Sequence, residues 1–140
     1  MKILVAVDGS VYTKRMLAYL AAHEELLGAA HQYTVLHVVP AVPPRAAAVL
    51  DKAVLKSYYD DEAEKVLKSI RTFMTRQGIA ADFVVKVGAA AEAITAVATK
   101  TKAELLVMGS HGHTALGKLV LGSVATKVMA NCETPVLLVR

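Results

Sequence analysis

The 140-residue chain is 55% hydrophobic and carries 16 Lys and Arg against 12 Asp and Glu, a net charge of +4. That length is enough for one domain, residues 1–140, with a buried core, and no apolar run approaches the roughly 18 to 20 residues of a membrane span. A single cysteine, Cys132, excludes an internal disulfide and a thiolate metal cluster, and 5% aromatic residues without Trp leave little to stack on nucleic-acid bases. The basic residues are scattered among acidic ones, so neither nucleic acid nor a membrane is an expected partner; a mild attraction to anions is.

The opening stretch "MKILVAVDGS" is too short for a signal peptide and meets Asp8 early, so residues 2–8 are read as a first strand and the protein as cytoplasmic. Its continuous apolar run, ending in an acid, suits a strand covered on both faces. Ser10 is placed to cap a helix over 11–27, with Met16, Leu17, Leu20 and Leu27 on one side and Gly28 past its end. "YTVLHVV" (33–39) is a second strand, and Pro40, Pro43 and Pro44 predict an irregular surface loop after it. A long helix follows over 51–77, with Ala63, Val66, Leu67, Ile70, Phe73 and Met74 at helical spacing and Gly78 closing it. Strand 82–88, helix 90–100, strand 104–109, helix 124–131 and strand 135–140 complete the chain.

Strands alternating with helices imply parallel pairing through right-handed crossovers, hence an α/β fold: a three-layer α/β/α sandwich with a five-stranded parallel sheet and four main helices. Ligands in such sheets sit beyond the carboxyl ends of the strands, where strand order reverses. The ends to inspect are "VDGS", "HVVP", "KVGAAAE" and "VMGSHG".

The last of these opens "GSHGHTALGKLVLGS", which places four of the eight glycines in residues 109–123. The dinucleotide fingerprint fails on spacing and belongs after the first strand. A P-loop match from Gly112 to Lys118 fails because Leu119 stands where a magnesium-binding hydroxyl is needed. What remains is Gly109 and Gly112, nine residues, then Gly122 and Ser123. Gly109 and Gly112 would let the chain turn off the strand with amides bare to a phosphate, and Gly122 and Ser123 would return it to a helix N-terminus that favours an anion. Ser123 is expected to cap that helix.

At these residues the chain resembles the ATP-binding branch of the universal stress protein family, whose hallmark is G-x2-G-x9-G-[S/T]. The likeness extends over "ILVAVDGS", "LHVV", "MGSHG" and "LGSVATKVM…PVLLVR", and so over the whole chain. It implies a Rossmann-like sheet of order 3-2-1-4-5 and a nucleotide site. By that similarity Ala6 backs the adenine, Asp8 meets the ribose or phosphate region, and the backbone at Val38 reads the adenine edge. Met108, Gly109 and Gly112 flank ribose and phosphates, and Gly122, Ser123 and Val124 surround the phosphate chain. The implied cofactor is ATP, with AMP or ADP as alternatives, and Mg2+ accompanying the nucleotide. The family often has a proline two residues after the glycine that ends the third strand; here Gly88 is followed by Ala89 and Ala90. His113 falls at a variable, commonly basic position.

The implied role is a nucleotide-dependent stress-response sensor without strong catalysis, since the glycine stretch holds no Glu or Gln to orient a water. The alternatives are a slow magnesium-dependent ATPase or phosphotransferase using Asp8 or His113 as base, and a scaffold independent of nucleotide. A phosphorylated receiver domain is a further alternative, but it needs an acid at the end of the third strand, where "VVKVG" offers only lysine and glycine. His111 and His113 have no third metal ligand nearby in sequence. His37 reads as a hydrogen-bonded core or dimer-side residue, Lys118 as solvent-exposed, Cys132 as packed, and Arg45 as a residue that could close over the ligand. The last strand, 135–140, is expected at a sheet edge and to pair two copies in a symmetric homodimer.

Overall fold

The computed structural model describes residues 1–114 and 120–140. Five strands, β1 (Lys2–Val7), β2 (Gln32–Val39), β3 (Ala81–Val87), β4 (Leu105–Gly109) and β5 (Val136–Val139), form one parallel sheet in the order β3-β2-β1-β4-β5. The chain leaves β1 in one direction for β2 and β3, then crosses to β4 and β5 on the other side. The strand order therefore reverses between β1 and β4, where a crevice opens at the carboxyl ends. β5 is an edge strand, as expected.

The apolar strand runs have a direct cause in the two cores. Ile3, Val5 and Val7 of β1 pack with Tyr33, Val35, Val39 and Val107 against one helical layer. That layer is α1 (Val11–Ala22), through Met16, Leu17 and Leu20, and α4 (Lys52–Arg76), through Ala63, Leu67, Ile70 and Met74. Leu4, Leu36, Leu106 and Met108 face the opposite layer, α5 (Ala90–Lys100) and α6 (Ser123–Asn131). Both faces are covered, so hydrophobic residues need not alternate with polar ones. Cys132 is half-buried and packs against this second layer.

Four long helices and two short ones account for the helical layers among the described residues. The helix expected over 11–27 is broken at His23, leaving α2 (Glu24–Leu27) as a separate turn. His23 adopts φ −122° and ψ 53°, its ring stacks on Tyr19 with centroids 4.0 Å apart, and its Nδ1 lies 2.9 Å from the Tyr19 carbonyl. The proline-rich stretch is not wholly irregular, because α3 (Pro44–Ala48) starts with proline at its first helical position, where the missing N–H is no loss. Gly78 ends α4 at φ +67°, with N–H bonds from Gly78 to Thr75 and from Ile79 to Met74, the paired closure that favours glycine there. Buried Tyr33 donates its hydroxyl to the carbonyls of Leu27 and Gly28, tying the end of α2 to β2.

Candidate functional site

The carboxyl end of β1 sets the first wall of the crevice. After Val7 the chain turns at Gly9, whose φ of +77° suits glycine, and enters α1 at Ser10. Asp8 Oδ1 accepts from the Ser10 N–H and from the Thr13 hydroxyl, each at 2.9 Å, and the Asp8 N–H donates back to Thr13 Oγ1 at 3.1 Å. The buried Thr13 thus holds the carboxylate from two directions. Ser10 occupies the cap position of α1, but its buried hydroxyl finds no partner among the described residues.

β4 supplies the second wall. Gly109, Gly112 and Gly122 do not have positive φ, so they are not needed for left-handed turns. They are needed for close approach. A Cβ on Gly109 would lie 2.7 Å from Tyr12 Cβ, on Gly112 2.8 Å from Asp8 Oδ2, and on Gly122 3.1 Å from His111 Cα and 3.2 Å from the Ser110 carbonyl. Each glycine lets a different partner reach the crevice: α1, the Asp8 carboxylate, and the returning chain.

The start of α6 forms the third wall, with two differences from expectation. Gly122, not Ser123, is the cap residue, and Ser123 is the first helical residue, exposed. The Gly122 N–H is not open to a ligand either, because it donates to the Ser110 carbonyl at 2.8 Å and closes the neck of the intervening chain. The first intrahelical bond runs from the Thr126 N–H to Gly122, so the amides of Ser123, Val124 and Ala125 precede the α6 ladder. These three, with the positive end of the helix dipole, are the anion-attracting feature here.

Two histidines complete the rim and one the floor. His113 Nε2–H donates to the Asp8 carbonyl at 2.6 Å, fastening the chain after Gly112 to the end of β1. His111 pairs its Nδ1 with Ser110 Oγ at 2.8 Å and lies 5.0 Å from the Tyr12 ring. His37, 7% exposed on β2, donates its Nδ1–H to the Val7 carbonyl at 2.8 Å.

These walls enclose a cavity of about 520 Å³. Ala6, Asp8, Val38, Met108, Gly109, Gly112, Gly122, Ser123 and Val124, the nine residues singled out in the sequence, all line it. At its β2 and α5 end it is apolar, walled by Leu36, Val38, Pro40, Ala90 and Ile94; at its β4 and α6 end it is backbone, carboxylate and imidazole. Sequence reasoning did not assign Thr13, His37, Pro40, Ala90 and Ile94 to the site. The signal for Thr13 was present, a hydroxyl five residues after a strand-ending acid, and Pro40 and Ala90 fall inside strand ends already marked, with Ile94 just beyond the second. Arg45 lies on α3 outside this wall, while Lys118 and most of the P-loop-like match fall outside the described residues. Among the described residues no group of three or more His, Cys, Asp or Glu could hold a metal, and no helix is long and apolar enough to cross a membrane.

The model of the Universal stress protein family matches residues 1–140. The chain belongs to the universal stress protein family. A universal stress protein of Thermus aquaticus, encoded in the QAH/OAS sulfhydrylase 3′ region, is 38% identical over 139 residues, which cover 99% of this chain and 97% of that one. The solved structure of MJ0577 from Methanocaldococcus jannaschii is 26% identical with a TM-score of 0.78, covering 99% of this chain and 94% of that one. The Archaeoglobus fulgidus universal stress protein, solved in complex with dAMP, shares the fold with a TM-score of 0.70 at 23% identity, over 100% of this chain and 98% of that one. This family member therefore carries its crevice at the reversal point of a sheet shared with those structures.

Proposed function

We propose that this chain binds an adenine nucleotide, ATP with its magnesium ion in the first instance, and acts as a nucleotide-dependent regulator of the stress response. One observation carries the reading: a single cavity of about 520 Å³ joins an apolar end to the start of α6, with Asp8 also lining it. The base would lie between Val38 and the start of α5, the ribose near Asp8 and Met108, and the phosphates against Gly112, Ser123 and Val124. The dAMP complex of the Archaeoglobus fulgidus protein supports adenine nucleotides as the ligand class this fold can hold. Magnesium would arrive with the triphosphate, held by phosphate oxygens and water. No Glu or Gln lies among the described residues lining the cavity, the Asp8 carboxylate is engaged by Ser10 and Thr13, and His113 is bonded to the Asp8 carbonyl, so the reading is binding without fast turnover. The same reading takes residues 1–140 as one cytoplasmic domain that dimerises through the edge strand β5, with AMP and ADP as lesser ligands.

The test is direct. The purified protein is denatured in acid and the released nucleotide identified by chromatography, and apo protein is titrated with Mg-ATP while its melting temperature is followed. A ligand that binds only the folded state must raise the melting temperature. An empty protein whose melting temperature ignores millimolar Mg-ATP, ADP and AMP refutes the proposal.

A further inference from the structure

Of the two edge strands, β3 is the more open. No residue of β5 is exposed, whereas in β3 Asp82, Val85, Lys86 and Val87 are, the two valines at 40% and 44%. An edge with uncovered apolar side chains offers its unpaired main-chain groups to another strand.

Which groups β3 offers follows from its pairing with β2. The register runs unbroken from Tyr33 opposite Ala81 to Val39 opposite Val87, and the Gly88 N–H donates to the Val39 carbonyl at 3.0 Å. Along a strand, successive residues turn their main-chain groups to opposite edges. Asp82, Val84 and Lys86 therefore spend theirs on β2, while Ala81, Phe83, Val85 and Val87 turn theirs outward. Side chains alternate between the faces in the same way. Phe83 packs on the core with α1 and α4 and Val84 on the core with α5 and α6, so Phe83, Val85 and Val87 share one face and Asp82, Val84 and Lys86 the other.

An antiparallel neighbour bonds to this edge only where outward residues stand opposite one another. For a second copy related by a two-fold axis, centring on Phe83 sets Lys86 opposite Ala80, and centring on Val85 sets Lys86 opposite Val84. Centring on Val84 sets Asp82 opposite Lys86 in both directions and Phe83 opposite the exposed Val85. In that register the charges fall at non-hydrogen-bonded positions, where opposing Cα atoms are about 4.5 Å apart and side chains are closest. Among the described residues no ion pair within the chain uses Asp82 or Lys86.

We propose that β3 is a self-association surface, pairing antiparallel with β3 of a second copy about a two-fold axis at Val84. Edge charges ordinarily discourage pairing. Here they oppose the other registers and favour this one. The surface stands apart from the nucleotide site and from β5, and is tested separately from both.

Sedimentation velocity is compared for the wild type, Asp82→Lys, Lys86→Asp and the double exchange, with melting temperature as the check on folding. Each single change sets like charges opposite one another twice and should weaken association on the order of tenfold. The double exchange restores opposite charges and should recover it. Pairing through β5 is untouched, so the single variants should fall from tetramer or longer to dimer where β5 also pairs, and from dimer to monomer where it does not. In a second measurement, Val84→Cys should oxidise to a covalent dimer, since about 4.5 Å is within disulfide reach. Val87→Cys should not, because its copies would lie roughly 20 Å apart, six residues along the strand. Wild type carrying Cys132 alone is the control. A wild type with the same mass as both single variants overturns the proposal, and leaves any β5 dimer standing. So does a double exchange that stays dissociated, or Val87→Cys cross-linking as readily as Val84→Cys.

Discussion

Replacing Thr13 by Val tests the link between the fold and the crevice, because the two side chains have nearly the same shape. The substitution deletes a charge-assisted bond to Asp8 Oδ1 at 2.9 Å and leaves the Asp8 N–H, now donating at 3.1 Å, without its acceptor. Asp8 is half-buried, so water can replace part of what is lost, and the expected destabilisation is about 1.5 kcal/mol, the lower part of the range for a bond to a charged group. With about 2.1 cal/mol/K of unfolding entropy per residue over 140 residues, roughly 0.3 kcal/mol/K, the melting temperature should fall by about 5 °C. The carboxylate retains only the Ser10 N–H and is free to swing, so affinity for Mg-ATP should drop about tenfold. Wild-type protein at a hundred times its Kd gains about 2.7 kcal/mol from ligand, and a tenfold weaker mutant at the same concentration gains about 1.4 kcal/mol. Calorimetric melts with and without nucleotide separate the two effects. A mutant that melts within a degree of wild type and shows the full ligand shift refutes the argument that Thr13 holds Asp8 in place.

Other substitutions probe other parts of the structure. Gly109→Ala forces a methyl to 2.7 Å from Tyr12 Cβ, and the resulting shift of α1 from β4 should cost about 1–3 kcal/mol in urea unfolding. Gly122→Val presses on the backbone of Ser110 and His111, so it should abolish the ATP-induced rise in melting temperature while far-UV circular dichroism stays close to wild type. Burial raises the Tyr33 pKa above 10.0, and a raised folded-state value means stability is intact below the unfolded-state pKa and is lost as pH climbs through the folded one. Urea midpoints should therefore fall above about pH 10, and Tyr33→Phe, itself weaker by about 1 kcal/mol at neutral pH, should flatten that decline.

The layer architecture was legible because strands covered on both faces must read as continuous apolar runs, and β1, β2 and β4 do, whereas the strand order came from the resemblance to the universal stress protein family. Helix ends were less legible. Nothing in the pattern from Met16 to Leu27 announces the break at His23, since apolar spacing continues across it while the backbone leaves helical φ and ψ and the ring settles on Tyr19. The glycine motif picked residues that line the cavity, but the structure uses them differently. Its glycines were read as turn formers with free amides, whereas the structure uses them to admit Tyr12, Asp8 and the Ser110–His111 backbone, and it spends the Gly122 amide internally. Spacing reports that a side chain is missing but not what occupies the room it leaves. Thr13 and His37 escaped as site residues because a hydroxyl in a first helical turn and an imidazole in an apolar strand are ordinary until their partners, Asp8 and the Val7 carbonyl, are known.

The bond between the Gly122 amide and the Ser110 oxygen joins the head of the last helix to the end of β4 directly. Closing a tether of twice the length adds only about 0.6 kcal/mol of entropic penalty, and here the two anchorage points are already clasped. The seating of the last helix thus depends on that clasp, and prising it apart should open the crevice before it loosens the two cores.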